Sequence, residues 1–267
     1  MPSLRLAPVL ALVLVMWAWV PRAAADNVDL ALVLAVDVSR SIDEAEYDLQ
    51  RKGYAAALSD PRVVRAITSG EHGQIALSYF EWSGELSQQL IVDWTVIHDV
   101  ASAQNFAAQI LAAPRPFANR TSIGVAIEYA IGLLGRSPHR ATRHVIDVSG
   151  DGTNTNGVEP SAMRDAAVEQ GVTINGLVIN NPNEMPWIPW HTHPPGGLDN
   201  YYRENVAGGP GAFVLKVEGF DSFATAIIDK LVREIAQSGA TRSVGSAAPE
   251  TKYPIGNVFT AAARPRM

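Results

Sequence analysis

Residues Leu30–Ser41, with the sequence LALVLAVDVSRS, join an unbroken apolar run to a short series of oxygen-bearing side chains. The apolar part, Leu30–Val36, is typical of a strand that is buried on both faces of a parallel sheet. Similar runs recur along the chain, and helical periodicity fills most of the intervals between them. This alternation predicts βαβ crossovers around a parallel sheet that helices cover on both faces.

Five further strands and five helices complete this pattern. The strands are predicted at Gln74–Phe80, Gln89–Asp93, His144–Val148, Thr173–Ile179 and Ala212–Val217. The helices are predicted at Asp43–Leu58, Val100–Ala112, Ser122–Leu134, Pro160–Gln170 and Phe220–Ala236. Only a short turn, Trp82–Glu85, separates two of the strands, which predicts a hairpin and an antiparallel edge strand. We therefore predict an α/β fold with a doubly wound, Rossmann-like, mostly parallel six-stranded sheet.

The two ends of the chain lack this pattern. Arg5 precedes the apolar run Leu6–Val20, and Ala23–Ala25 supplies the small residues that signal peptidase accepts. We predict a signal peptide at residues 1–25, cleaved after Ala25, one domain at residues 26–237 and a disordered tail at residues 238–267. The protein is then secreted or periplasmic, and an uncleaved signal anchor is the alternative. The sequence has no cysteine, so it forms no disulfide and carries no cysteine-linked lipid; we expect no stable membrane anchor after cleavage.

Charge and motifs exclude several classes of function. The net charge is −6 at pH 7, which argues against nucleic acid or anionic lipid as the main partner. The sequence has no Gly-x-Ser-x-Gly nucleophile motif and no phosphate-binding Gly-x-x-x-x-Gly-Lys-Ser/Thr loop. We predict no catalytic residues and a protein that is not an enzyme.

Three segments place oxygen-bearing side chains where an open α/β sheet binds its ligands, beyond the carboxyl ends of the strands. Asp37, Ser39 and Ser41 follow the first predicted strand. Thr121 stands at the start of a predicted helix, and Asp151 follows the fourth strand. Two carboxylates and three hydroxyls, without imidazole or thiol, favour Mg²⁺ or Mn²⁺ over zinc. Water or an oxygen of a partner must then complete the coordination shell.

These motifs resemble the metal-ion-dependent adhesion site of von Willebrand factor type A domains, in which Asp-x-Ser-x-Ser, Thr-x-x-Gly and Asp-Gly follow one another in this order. The resemblance covers roughly Asp26–Gln237. It is closer to an uncharacterised bacterial group of secreted type A-like proteins, through Ile146–Gly152 (IDVSGDG) and Tyr201–Val206 (YYRENV).

The resemblance implies how the site works. Ser39, Ser41 and Thr121 are expected to contact the ion directly, and Asp37 and Asp151 to bind it directly or through water. An open coordination position is expected to take the Asp or Glu side chain of another protein. The expected function is an exported adhesion or assembly module.

Each element of the site also has a purely structural interpretation. Ser41 and Glu44 have the spacing of a helix capping box, and Thr121 could cap the next helix. Asp151 with Gly152 could form an ordinary turn. Asp147 is interpreted as a hydrogen-bonded core acid, with support of the metal ligands as the alternative.

The predicted surface loop Asn181–Leu198 carries a second set of candidates. His191 and His193 could bind zinc with Asp199 or Glu184, but solvent-exposed loop histidines are the preferred interpretation. Trp187 and Trp190 could contact a partner or pack onto the domain itself. Two alternative functions also stay open: a metal-assisted hydrolase that uses the same ion, for which no general base is evident, and a structural domain without metal-dependent activity.

Overall fold

The computed structural model describes residues 25–180, 188–219 and 222–236. The predicted signal peptide up to residue 24 and the predicted tail lie outside the described residues, as do residues 181–187 of the predicted loop, with Glu184 and Trp187. None of the helices in the described ranges is long and apolar enough to cross a bilayer.

Eight strands and eight helices alternate along the described residues. The strands are β1 (Asn27–Val28), β2 (Ala31–Asp37), β3 (Ile75–Trp82), β4 (Gln88–Ile97), β5 (Arg140–Ala141), β6 (His144–Gly150), β7 (Val172–Asn180) and β8 (Val214–Glu218). The helices are α1 (Glu44–Leu58), α2 (Pro61–Thr68), α3 (Val100–Ala112), α4 (Ile123–Gly135), α5 (Pro160–Glu169), α6 (Pro189–Thr192), α7 (Leu198–Asn205) and α8 (Phe223–Ala236).

The main sheet has six strands in the order β4-β3-β2-β6-β7-β8. Only β3 and β4 pair antiparallel, and β4 lies at the edge, so the predicted fold class and the hairpin are confirmed. From β2, the chain first adds strands on one side and then on the other. The order of the strands therefore reverses between β2 and β6, and a crevice opens there at the carboxyl edge.

Two apolar cores, one on each face of the sheet, explain the unbroken apolar run. All seven residues of β2 are buried. Leu32, Leu34 and Val36 pack on one face with residues of α1, α3 and α8, whereas Ala31 and Val33 pack on the other with residues of α4. Because successive side chains of a strand point to opposite faces, a strand covered on both sides favours apolar residues at every position.

Three helices, α2, α6 and α7, were not predicted. Asp60 caps α2 by accepting a hydrogen bond from the Arg62 N–H, and Pro61 opens it. The predicted loop Asn181–Leu198 is shorter than expected, because α6 lies within it and α7 starts at its end. Gly197, with φ of 91°, turns the chain into α7 in a conformation that favours glycine.

A buried cluster of three charged side chains joins β6 to α8. The Lys230 Nζ lies 2.5 Å from the Asp147 Oδ1 and 2.5 Å from the Glu234 Oε1, and all three side chains are buried. The interpretation of Asp147 as a core acid is confirmed. Two carboxylates share one ammonium, however, and burial together with Glu234 raises the pKa of Asp147 to about 7.

This charge imbalance predicts a pH-dependent stability that Asp147→Asn removes. Since the pKa of Asp147 is higher in the folded protein than in the unfolded chain, its stabilising contribution is complete below about pH 4 and is lost as the pH rises towards 7. Between about pH 4 and pH 7 we expect the free energy of unfolding of wild type to fall by about 1–4 kcal/mol relative to that of Asp147→Asn. One pKa unit corresponds to about 1.4 kcal/mol. Urea unfolding with EDTA at both pH values measures this difference.

The matched control is Asp229→Asn, which alters a largely exposed carboxylate on α8. It should keep the pH dependence of wild type. Parallel stability curves for wild type and Asp147→Asn would contradict the charge imbalance.

Candidate metal centre

Asp37 ends β2 and lies fully buried at the carboxyl edge of the sheet. Its Oδ1 accepts a hydrogen bond from the Ser39 N–H at 2.8 Å, and its carbonyl accepts one from the Gln50 Nε2 at 2.9 Å. The Oγ atoms of Ser39 and Ser41 are 3.1 Å apart. The loop before α1 therefore holds one carboxylate and two hydroxyls close to one another.

Asp151 follows β6, the strand next to β2 in the sheet. Its Oδ1 accepts a hydrogen bond of 2.5 Å from the Ser41 hydroxyl, although 110 positions separate the two residues in the sequence. The two predicted carboxylates are thus brought together at the point where the strand order reverses.

Thr121 reaches the same place from the segment before α4. Its side chain is buried, and its carbonyl accepts a hydrogen bond from the Thr155 N–H at 2.8 Å, which ties it to the loop that follows Asp151. Thr121 and Ser41 line one cavity. The structure therefore gathers all five predicted site residues around the crevice between β2 and β6.

Helix capping does not account for Ser41 or Thr121. The capping box of α1 consists of Asp43 and Glu46, not of Ser41 and Glu44. At α4, the side chain of Asn154 accepts the hydrogen bond from the Ile123 N–H at 2.8 Å. Both helix ends are therefore capped by other residues, and the hydroxyls of Ser41 and Thr121 face the crevice instead.

The two glycines beside Asp151 permit a close approach that a side chain would prevent. A Cβ atom at Gly150 would lie 2.6 Å from the Tyr202 hydroxyl and 3.0 Å from the Asp37 Oδ2. A Cβ atom at Gly152 would collide with the imidazole of His191. The absence of a side chain at both positions therefore lets the backbone pass close to other groups of the site.

The electrostatics of the site are unfavourable to its own carboxylates. Burial, followed by the charge of Asp151, raises the pKa of Asp37 well above its usual range, and the Ser39 N–H only partly opposes this. Burial and the same two carboxylates also raise the pKa of Tyr202. Two acids held together without solvent need either a shared proton or a cation.

The residues present fit a divalent cation. The buried Oδ2 of Asp37 has no hydrogen-bond donor among the described residues. Around it stand the hydroxyls of two neighbouring loops and the second carboxylate, which are the hard oxygen ligands that Mg²⁺ and Mn²⁺ accept. A cation here would satisfy the open oxygen and offset the repulsion between Asp37 and Asp151.

His191 occupies a position that the sequence pattern did not predict. The expectation of an exposed loop histidine is wrong, because the side chain of His191 is 3% exposed. Its Nε2 lies 3.3 Å from the Thr121 Oγ1 and its Nδ1 lies 3.3 Å from the Thr153 Oγ1. Burial lowers the pKa of His191, so the imidazole is neutral at pH 7 and accepts one hydrogen bond while it donates the other.

The alternative zinc site is not formed within the described ranges. Whereas His191 turns inward, His193 is exposed and its Nδ1 contacts the Thr192 Oγ1. No group of three or more His, Cys, Asp or Glu residues suited to a metal ion occurs among the described residues. This finding leaves the two-carboxylate site untouched, because most of its predicted ligands are hydroxyls.

Arg115 holds the Asp37 loop in place from outside. Its Nη2 donates to the carbonyls of Val38 at 3.2 Å and of Ile42 at 2.8 Å, and its Nη1 pairs with the carboxylate of Glu44 at 3.0 Å. Arg115 comes just after α3, where no motif distinguishes it. Sequence patterns alone therefore gave no signal for this role, and the motif Tyr201–Val206 did not indicate that Tyr202 reaches the site.

A cavity of about 190 Å³ opens beside the site. Its lining combines the two site hydroxyls with neighbouring polar and charged groups: Arg40, Ser41, Asn119, Arg120, Thr121, Thr155, Ile188 and His191. Exposed apolar side chains flank this region, since Trp190 next to His191 is 61% exposed and Leu86 in the turn between β3 and β4 is 98% exposed. The hydrogen bond of 3.0 Å from Asn119 to Ser87 connects that turn to the cavity wall.

Comparison with known proteins assigns this chain a family and a fold. Residues 27–239 match the family described as "Protein of unknown function (DUF1194)". A search of curated proteins returns no match. Among solved structures, the fold is that of von Willebrand factor type A domains.

Three of these structures illustrate the similarity. Proximal thread matrix protein 1 from the mussel byssus, solved "with zinc occupied MIDAS motif", is 15% identical with a TM-score of 0.52, and the match covers 79% of this chain and 49% of that one. The von Willebrand factor type A protein from Catenulispora acidiphila is 14% identical with a TM-score of 0.52, over 79% and 43%. The pilus adhesin SpaC from Lactobacillus rhamnosus GG is 12% identical with a TM-score of 0.56, over 79% and 30%. This chain thus matches half or less of each.

A divalent ion should stabilise the fold through Asp37. Mg²⁺ or Mn²⁺ that binds only the folded state adds about 2.7 kcal/mol at a hundredfold excess over its Kd. We expect the Tm of wild type to rise in metal relative to EDTA. Asp37→Asn removes one of two repelling carboxylates, so its Tm in EDTA should exceed that of wild type while its response to metal falls. Thermal unfolding measures both effects, with Asp229→Asn as control. An equal metal response in Asp37→Asn would contradict the assignment.

His191 should orient the Thr121 hydroxyl for metal binding. When the Nε2 accepts the hydroxyl proton, the lone pairs of the Thr121 oxygen are left for the ion, and loss of such support weakens metal sites about 10–100-fold. We expect His191→Ala to lower the affinity for Mn²⁺ by about tenfold, and His191→Gln, which keeps an acceptor, to lose less. Calorimetric titration measures the affinity. His193→Ala changes an exposed histidine of the same segment and should bind Mn²⁺ with the affinity of wild type. A loss of about tenfold in this variant too would mean that the segment as a whole, and not the His191 imidazole, supports the site.

Proposed function

Because the chain belongs to the DUF1194 family and has the fold of von Willebrand factor type A domains, we propose that it is an exported module that binds another protein through a divalent ion. Asp37, Ser39, Ser41, Thr121 and Asp151 would hold the ion. The single observation that carries the proposal is the buried pair Asp37 and Asp151, gathered with three hydroxyls at the crevice of the sheet.

Mg²⁺ is the ion that this donor set favours, with Mn²⁺ as the next choice. All five side chains offer oxygen, and a hard cation of small radius prefers such ligands. Two carboxylates balance the charge of a divalent ion, and the hydroxyls add donors without adding charge. When bound, the ion supplies a concentrated positive charge that attracts an anionic group from outside.

The partner would present an Asp or Glu side chain. The cavity beside Ser41 and Thr121 gives an outside group access to the ion, and none of the described residues that line its wall is acidic. The exposed side chains of Trp190 and Leu86 would contact apolar groups around the carboxylate. In this arrangement the ion sets the direction of the contact, and the surrounding side chains select the partner.

We place the protein outside the cytoplasm, in the periplasm or the medium. The support is the apolar run Leu6–Val20 behind Arg5, followed by the Ala23–Ala25 cleavage signal. An exported location would also supply millimolar-range divalent ions without competition from nucleotides, which suits a site built from weak hydroxyl ligands.

The decisive experiment is a chelator-controlled capture. The immobilised mature chain is incubated with the exported proteins of its native host in Mg²⁺ or in EDTA. Wild type should retain a specific protein in Mg²⁺ and release it in EDTA, and Asp151→Ala should retain none. Asp229→Ala, which removes an exposed carboxylate at the opposite end of the domain near Arg62, should behave as wild type. Capture that persists in EDTA and in Asp151→Ala would refute metal-dependent binding.

One observation favours a second candidate, a metal-assisted hydrolase. The imidazole of His191 lies at the site, next to Thr121, and could act as the general base that the sequence pattern lacked. The metal would then activate water. Purified protein loaded with Mg²⁺ or Mn²⁺ would hydrolyse p-nitrophenyl acetate or phosphate, and His191→Ala would abolish this turnover. We rank it second because the structural relatives named above are a matrix protein and an adhesin.

A further inference from the structure

Two arginines stand directly beside the site hydroxyls. Arg40 precedes Ser41 in the first loop, and Arg120 precedes Thr121 in the second. The Arg40 N–H donates a hydrogen bond of 3.0 Å to the Asn119 carbonyl, so the two loops are joined at this point. Both arginines line the same cavity of about 190 Å³. Two arginine residues that adjoin the ion's proposed ligands in the sequence thus line this cavity.

Neither guanidinium has an acidic partner within the described part of the chain. The ion pairs recorded there involve other arginines, such as Arg51 with Glu81, and none includes Arg40 or Arg120. Both residues are exposed.

The size and chemistry of the cavity suit a carboxylate. A volume of about 190 Å³ corresponds to roughly six water molecules at about 30 Å³ each, which is enough for an acidic side chain. Guanidinium groups bind carboxylates through two parallel hydrogen bonds, and Asn119 adds an amide donor to the wall. The ion itself would already take one carboxylate, so the arginines are left for a second.

We propose that Arg40 and Arg120 form an anion subsite, so that the partner presents two neighbouring acidic residues, one for the ion and one for the arginines. This inference rests on the proposed function and specifies its partner. Because each arginine adjoins a site hydroxyl in the sequence, the two carboxylates lie about one or two residues apart in an extended peptide, at roughly 3.3–3.6 Å per residue. An Asp-Asp or Asp-x-Asp segment meets this spacing.

Three synthetic peptides test the subsite with the full mature chain in Mg²⁺. They are acetylated and amidated forms of Gly-Asp-Gly-Asp-Gly, Gly-Asp-Gly-Asn-Gly and Gly-Asn-Gly-Asp-Gly, and their affinities are measured by NMR titration. We expect the diacid to bind about tenfold more tightly than either monoacid, since a charged hydrogen bond contributes about 1.5 kcal/mol or more. In the double variant Arg40→Gln/Arg120→Gln the diacid should fall to the affinity of the monoacids.

Several controls separate this inference from the proposed function. Arg65→Gln removes an exposed arginine of α2 and should leave the preference for the diacid unchanged. The double variant should bind Mn²⁺ as wild type does, and Arg40→Lys/Arg120→Lys should recover only part of the preference.

A full preference for the diacid in the Arg→Gln double variant, or no binding of any peptide by wild type, overturns the subsite. If succinate binds more tightly than the diacid peptide, the ligand is a small dicarboxylate, and the proposal that a protein supplies the carboxylates is wrong. Arginine-dependent binding that survives EDTA supports the subsite and instead overturns the metal.

Discussion

The repulsion between the buried carboxylates of Asp37 and Asp151 is the constraint around which this site is organised. Parallel strands deliver their carboxyl ends to one edge, and the reversal of strand order between β2 and β6 leaves a gap there that no helix fills. Placing two acids in that gap opposes folding, because burial and mutual charge both disfavour ionisation, as the raised pKa of Asp37 shows. A fold that keeps such a pair without an internal cation gains nothing in stability from it. The pair is therefore best explained by something that binds there.

The surroundings of Asp37 hold it in place and offset only part of its raised pKa, through Ser39 and the charge of Arg115. The Asp37 Oδ1 accepts a hydrogen bond from the Ser39 N–H. Arg115 donates hydrogen bonds to the carbonyls of Val38 and Ile42 in the same loop. The buried charged cluster on β6, the strand that precedes Asp151, differs from the site in this respect. There the Lys230 Nζ from α8 lies 2.5 Å from the Asp147 Oδ1. A buried ammonium thus lies 2.5 Å from the acid that serves the core, whereas among the described residues the buried Oδ2 of Asp37 at the crevice has no hydrogen-bond donor.

The fold, which is confirmed, and the five site residues, which remain a prediction, were inferred from the sequence for the same physical reason. Leu30–Val36 is apolar throughout because helices cover both faces of the sheet, and a polar residue at the end of such a run lies at an edge. The sequence did not show which residues cap α1. Ser41 and Glu44 have the same spacing as Asp43 and Glu46, and only the backbone conformation at Asp43 distinguishes the two possible capping boxes. The positions of His191 and Tyr202 at the site could not be predicted, because each reaches it through contact with a glycine of a distant segment, Gly152 or Gly150. Local periodicity carries no information about such contacts.

The arrangement of charge favours binding over catalysis. A hydrolytic site needs a positioned base and room for water beside the substrate, and His191 is instead held by two threonine hydroxyls, at 3.3 Å on either ring nitrogen. Both nitrogens are then occupied within the protein, one as donor and one as acceptor, so the imidazole must break a contact before it can take a proton from water. The same two hydrogen bonds suit a group whose task is to fix the orientation of Thr121. With His191 held by two threonine hydroxyls and two arginines at the wall of the cavity, the arrangement supports the proposal of an anion-binding site more than that of a hydrolytic one.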